Sequence, residues 1–465
     1  MIGSKVCLVT LSLSCAFLCA AGNTIGAYGA EIQMQVQAVP PTQSALSPTG
    51  KLLTIEDAVR IGLDNHPRVK SANERIGSQQ AVLGQQMAAY YPSITLNNNY
   101  RNTNAPSASS VSDHSSSTVN SQTNFSYTIY NFGKREGTVQ AARDTLSAVQ
   151  QDYATTSQDI ILAIKQAYYV YLGSQALVKV RQETVRSREL LVRQARGFYE
   201  VGTRARIDVA RAEANLFTAQ ADLIAAENGV KIAWVTLRNA MGSPRLPEQP
   251  VAEDSPEVEF SMNLAGARKV AFDARTELKS FEAQRKASDQ LIAAARRGHF
   301  PDLIFDALYI RRTGLGDTKP TFPLRQEGWQ AQVSFNFPIF DGFRTTNRVE
   351  ETLHNYYNIK AQEEDRRQLI ALEVEQSYLR VVETQERIRA TESAARAAKE
   401  NLDLAQGRYQ VGVGSIIEVT DAETLYTEAQ TTYIRTIYDY KIADAQLARA
   451  MGDIRVGVLK PGSIK

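Results

Sequence analysis

The residue types that do chemistry are few in this chain and they do not gather. His66, His114, His299 and His354 stand apart, without the i,i+4 or short-loop partners that a metal site needs. Cys7, Cys15 and Cys19 are its only thiols, and all three fall in the apolar leader of the chain. Cys-ligated zinc, disulfides and thiol catalysis are therefore excluded from the remainder. There is no G-x-S-x-G elbow and no Walker phosphate loop. Gly412-Val413-Gly414 begins like a dinucleotide fingerprint, but Ile417 stands where the third glycine belongs and no strand precedes it. Glu363 and Glu364 lie on a helical stretch among basic residues, where a solvated face explains them. The reading is of a protein that is not an enzyme and has no cofactor and no metal.

Composition agrees with a folded, non-polyanion-binding protein. The 465 residues are 43% apolar and 22% charged, with a formal net charge of only +2, so no basic field exists to gather nucleic acid. Lys5, the apolar run Val6 to Ala21 and the small residues at Ala20/Gly22 or Ala27/Gly29 are built like a secretory signal peptide, read as residues 1–30. The run is shorter than the ~20 residues a spanning helix needs. No later stretch is apolar for that length, so a membrane-crossing part must be a closed β-barrel.

The elements that carry the chain are written twice, at a shift of about 210 residues. Tyr91-Pro92 answers to Phe300-Pro301, Asn131-Phe132-Gly133 to Phe340-Asp341-Gly342, and Tyr199-Glu200-Val201-Gly202 to Tyr409-Gln410-Val411-Gly412. Ala212-Glu213 matches Ala422-Glu423, and Ala240-Met241-Gly242 matches Ala450-Met451-Gly452. The chain divides into an N-terminal extension (31–50), a first repeat (51–242), a proline-rich acidic connector (243–262), a second repeat (263–452) and a C-terminal segment (453–465). The connector reads as running outside the helices and not as a core element.

Each repeat reads as helix, strand, loop, strand, long helix, turn, helix. One helical segment is expected over about Ile55 to Tyr91 and its counterpart over about Leu264 to Phe300. The period then changes to two. Ile94, Leu96 and Tyr100 share a face, as do Phe125, Tyr127 and Ile129, then Leu303, Phe305, Ala307 and Tyr309, then Trp329, Ala331, Val333, Phe335 and Phe337. Strands of about ten residues suit a tilted membrane wall, with long polar loops expected over Asn102 to Gln122 and Thr313 to Gly328. A small soluble β-domain also fits such alternation. Four strands cannot close a barrel in lipid, so several chains must share one, of eight, twelve or sixteen strands.

Helical periodicity then runs without proline from Lys134 to Tyr199 and from Arg344 to Tyr409, roughly 100 Å each at 1.5 Å per residue. After Gly202 two stripes appear: Ile207, Ala210, Ala214, Phe217, Ala221 and Ile224; and Val209, Ala212, Leu216, Ala219, Leu223 and Ala226. Spacings of three and four make both into coiled-coil seams, so this helix has neighbours on two sides. A compact bundle also predicts broad apolar faces.

The doubled order of these motifs resembles the TolC-like family of outer-membrane efflux and secretion channels across essentially the whole mature chain. The resemblance implies a tandem-duplicated, mainly α protomer that gives four strands to a shared trimeric 12-stranded β-barrel and long coiled-coil helices to a periplasmic α-barrel. It further implies passive conduction in the outer membrane, with a periplasmic adaptor and an inner-membrane pump of the RND, ABC or MFS type as partners. By position, Val201, Gly202, Thr203, Val411, Gly412 and Val413 are implied as adaptor-contacting tips, and Asp208, Tyr409, Glu418 and Asp421 as the periplasmic gate. Gly414 departs from the family, which carries an arginine near that place, while Arg204 and Arg206 sit on the first hairpin. An efflux outlet leads; an outlet for type I protein secretion and a periplasmic coiled-coil scaffold are the alternatives.

Overall fold

In the computed structural model the described residues are 52–105, 114–252, 262–315 and 325–454. The signal-peptide and N-terminal-extension readings lie outside them, as do most of the C-terminal segment and of the connector's acidic half. The first repeat contains α1 (Ile55–Asn65), α2 (Pro67–Met87), β1 (Ser93–Ala105), β2 (His114–Tyr130), α3 (Lys134–Glu200) and α4 (Arg206–Ala240). The second contains α5 (Leu264–Ala274), α6 (Thr276–Arg296), β3 (Asp302–Leu315), β4 (Arg325–Asn336), α7 (Arg344–Gln410) and α8 (Ile416–Ala450). Equivalent helices have equal lengths, 67 residues for α3 and α7 and 35 for α4 and α8, so the duplication is preserved turn for turn.

Two expectations about the elements are corrected. The helical segment that opens each repeat is a pair of helices. His66 precedes Pro67, whose ring disfavours the helical region for it, so it turns to ψ 126° and caps α2 through its side chain. At the matching place Arg275 breaks the second segment with ψ 121° and no proline. Its guanidinium is buried among Glu277, Glu373, Arg366 and Arg449, while Asp159 joins Arg449 at 2.8 Å. Three arginines and three carboxylates from α3, α6, α7, α8 and the break itself pair there, though Arg275 Nε, Glu277 Oε2 and Arg449 Nη1 are buried with no hydrogen-bond partner among the described residues, and burial draws the Arg275 pKa down to about 10.

The strands are also longer than ten residues, at 13, 17, 14 and 12, because backbone pairing continues into the polar stretches assigned to loops. Ala105 opposes His114, and Thr313 opposes Arg325. A ladder needs only N–H and C=O groups, so serine and asparagine extend it outside an apolar environment. The sheet order is β1-β2-β3-β4, antiparallel throughout, and β2 with β3 zips the two repeats together. β1 and β4 are left as edges.

The connector is partly a core element, another correction. Leu246 and Val251 are buried with Leu53, Tyr168, Trp234 and Met241, and Leu53 bridges Val251 in parallel. The Tyr168 hydroxyl donates to the Ala252 carbonyl at 2.8 Å. Two apolar residues, Leu246 and Val251, anchor this proline-rich segment to the core.

Helices pack in the sequence α4, α3, α8, α7, with α2 and α6 lying against α3 and α6 also against α7. One of the two α4 stripes faces this wall: Ala212 and Ala219 are buried, with Val209 and Leu216 against the same cluster. The other is open, with Ile207, Phe217 and Ile224 each about two thirds exposed in the single chain. Among the described residues no helix is long and apolar enough to cross a membrane.

Candidate functional site at the helical hairpin tips

The two hairpin turns follow from the same backbone chemistry. The end of α3 is closed by Gly202, whose amide donates to the Tyr199 carbonyl at 2.9 Å, and by Thr203, whose amide reaches Phe198 at 3.0 Å. Gly412 and Val413 repeat this at the end of α7, on Tyr409 and Arg408, both at 3.1 Å. Such a closure needs a left-handed residue, and φ is +77° at Gly202 and +86° at Gly412. The turn leaves Val201, Val411 and Val413 about 70% exposed, an apolar tip on each hairpin.

Arg204 joins the tips. Its Nη2 donates to the Gly412 carbonyl at 3.0 Å and to the Gly414 carbonyl at 2.7 Å, and its guanidinium lies 5.6 Å from the Tyr409 ring centre. Gly414 must be small, because a Cβ there would sit 2.9 Å from the Tyr409 amide nitrogen and 3.0 Å from the Arg408 carbonyl carbon. An arginine of the first hairpin thus reaches the backbone of the second at Gly414.

Of the four acidic and tyrosine candidates, the structure groups two closely. Tyr409 is fully buried, edge-on to Phe198 at 5.5 Å, and its hydroxyl has no hydrogen-bond partner among the described residues. Burial, and then the negative charge of Asp208, push this phenol above its ordinary value. Glu418 is apart from them, half-exposed and 3.4 Å from Arg408. Asp421 is exposed on the next turn of α8.

Behind the tips lies a pair for which sequence reasoning gave no role. Glu423 is 2% exposed and its carboxylate lies 3.3 Å from Arg188 Nε; burial raises it above the usual carboxylate range against the opposing pull of Ser187 and Arg188. Arg188 also donates to the Asn215 carbonyl at 2.8 Å, so α3, α4 and α8 meet at one guanidinium. The only signal in the sequence was the repeated Ala-Glu, and its other copy, Glu213, is an exposed partner of Arg196. Among the described residues no cluster of His, Cys, Asp and Glu could hold a metal ion.

The family model described as outer membrane efflux protein matches residues 59–243 and again 269–453. Outer membrane protein TolC of Vibrio cholerae is 26% identical over 399 residues, covering 84% of this chain and 89% of that protein. The probable efflux pump outer membrane protein TtgC of Pseudomonas putida is 22% identical over 411 residues, covering 86% and 82%. Among solved structures, the outer membrane protein VceC of Vibrio cholerae superposes with a TM-score of 0.72 at 19% identity, over 86% of this chain and 96% of that one. The Campylobacter jejuni CmeC outer membrane channel gives 0.74 at 18%, over 86% and 85%. With its doubled repeat matched twice by the same family, the chain belongs to the outer membrane efflux proteins and is an outer-membrane channel component, not an enzyme.

Proposed function

We propose that three copies of this chain form the passive outlet of a tripartite efflux system. The observation that carries this reading is the four-stranded sheet with the outer edges of β1 and β4 open and Ile94, Leu96, Tyr100, Trp329, Val333 and Phe335 exposed on its apolar face. An open edge is untenable in lipid, so β4 of one chain pairs with β1 of the next, and the apolar face meets outer-membrane lipid. The open α4 stripe supports the same closure, since Leu369, Leu372, Leu379 and Leu404 are exposed on α7, the other margin of the helical wall. Twelve strands, four from each of three chains, follow.

The tips then face the periplasm. Val201, Gly202, Thr203, Val411, Gly412 and Val413 meet a periplasmic adaptor, and Asp208, Glu418 and Asp421 line the entrance with Tyr409 buried behind them as part of the gate, while Arg204 holds the two hairpins of one protomer together. The energy comes from an inner-membrane pump of the RND, ABC or MFS type. Two Pseudomonas putida relatives, a toluene efflux pump and an antibiotic efflux pump outer membrane protein, support small toxic organic compounds as cargo. Reconstitution of the full-length protein in planar bilayers tests this: a trimer by mass with conductance steps of one size is expected, and a non-conducting monomer of the same helix and strand content overturns it.

A further inference from the structure

At the end of the sheet away from the helices, the outward face changes from apolar to charged within one residue pair. Trp329 opposes Tyr309, and the next pair on the same face is Glu327 opposite Arg311, followed by Arg325 opposite Thr313. Trp329 is 81% exposed and Tyr309 is 45% exposed, as an aromatic girdle is. From Phe335 to Trp329 the apolar stretch of β4 measures roughly 20 Å at ~3.3 Å per residue. The charged group therefore sits where hydrocarbon gives way to headgroups.

Glu327 contacts Arg325 and lies 3.7 Å from Arg311 Nε, so one carboxylate holds two guanidinium groups side by side. A guanidinium carries five N–H donors, and a single carboxylate cannot saturate two of them. Both arginines are about half exposed, and exposed ion pairs add little stability, so fold stability is a weak reason for this arrangement. Its geometry is that of a planar, fork-shaped receptor for tetrahedral anions, with a net charge of +1 per chain. Arg101 and Arg312 lie at a similar level on the opposite face, where Arg312 donates to Asn120 at 3.0 Å.

We infer that Arg311 and Arg325, held by Glu327 above the Trp329 and Tyr309 girdle, bind the phosphate groups of phosphorylated glycolipids in the outer leaflet. This rests on the proposed lipid-facing orientation of the sheet. The bound lipid fixes the depth of the barrel in the membrane and places an annulus of three such sites around the trimer.

The test uses the full-length trimer in detergent, titrated with lipid A and with its dephosphorylated form, read by native mass spectrometry. Wild type should retain lipid A and not the dephosphorylated lipid. Arg311→Ala with Arg325→Ala should weaken retention about thirtyfold, as expected for two surface arginines on an anionic lipid, and Arg101→Ala with Arg312→Ala should leave it unchanged. If the alanine pair fails to assemble, Arg311→Lys with Arg325→Lys keeps the charge, loses the fork and should weaken retention by a smaller factor. Equal retention by the outward variants, an equal loss in the lumenal pair, or equal binding of the dephosphorylated lipid overturns the site. Quenching by brominated lipid separates this failure from that of the orientation: of the two tryptophans, Trp234 is buried and Trp329 is exposed. A quenched Trp329 without phosphate-dependent binding removes the site alone, and an unquenched one removes the lipid-facing reading with it.

Discussion

The Arg204 guanidinium of the first hairpin donates to the Gly414 carbonyl of the second at 2.7 Å, so the two tips of one protomer are tied by a side chain on one and a backbone group on the other. A backbone acceptor cannot be lost by substitution; only the donor or the turn can be changed. Arg204→Ala should release two charge-assisted hydrogen bonds and shift the entrance toward its open form by roughly tenfold. Single-channel recordings should show a larger mean conductance than wild type, and identical conductance would remove Arg204 from the gate.

Glu418 and Asp421 become rings of three carboxylates in a threefold assembly, and narrow acidic rings favour cations. Glu418 also holds Arg408 at 3.4 Å within the chain. Replacing both by alanine should raise conductance and lower cation preference together. If neither changes, they are solvated acids near a helix start, worth a few tenths of a kcal/mol through the helix dipole.

The tips should tolerate bulk structurally but not functionally. An added Cβ at Gly202 or Gly412 meets nothing within 4 Å, so the cost is the positive φ, about 1 kcal/mol each. Changing both to glutamate should abolish export while trimers still reach the membrane. Normal export would place adaptor docking elsewhere.

Assembly should depend on the open stripe of α4. Phe217 and Ile224 are 65% and 67% exposed in the single chain, so aspartate at both positions costs the protomer little. Gel filtration in detergent should nonetheless show loss of the trimer with unchanged circular dichroism. An intact trimer would mean that another surface makes the seam.

Glu423 predicts a pH dependence. Its folded value lies above the ordinary 4.5 because burial disfavours the charge, so the folded state binds its proton more tightly than the unfolded chain does. Its contribution is therefore fully present below about 4.5 and is lost as pH rises through the folded value. Compared with Glu423→Gln, wild type should gain thermal stability on acidification from neutral pH. Parallel melting temperatures for the two proteins across that range would contradict the assignment.

Features that depend on local period and turn chemistry are legible from residue order alone. Two 67-residue helices, four alternating strands and two glycine-closed tips are all legible because propensity, patterning and φ > 0 are properties of short segments. The break at His66 is legible there too, in Pro67. The break at Arg275 was not, because no residue near it forbids a helix and a six-charge network from distant elements enforces the bend. The clearest case is the repeated Ala-Glu of the two halves. Glu213 lies on α4, which forms a margin of the helical wall, and it stays in water with Arg196; Glu423 lies on α8, which is packed between α3 and α7, and it is buried against Arg188. The same Ala-Glu pair ends in different surroundings, because solvation is set by which neighbours close over a side chain, and only the tertiary arrangement supplies those.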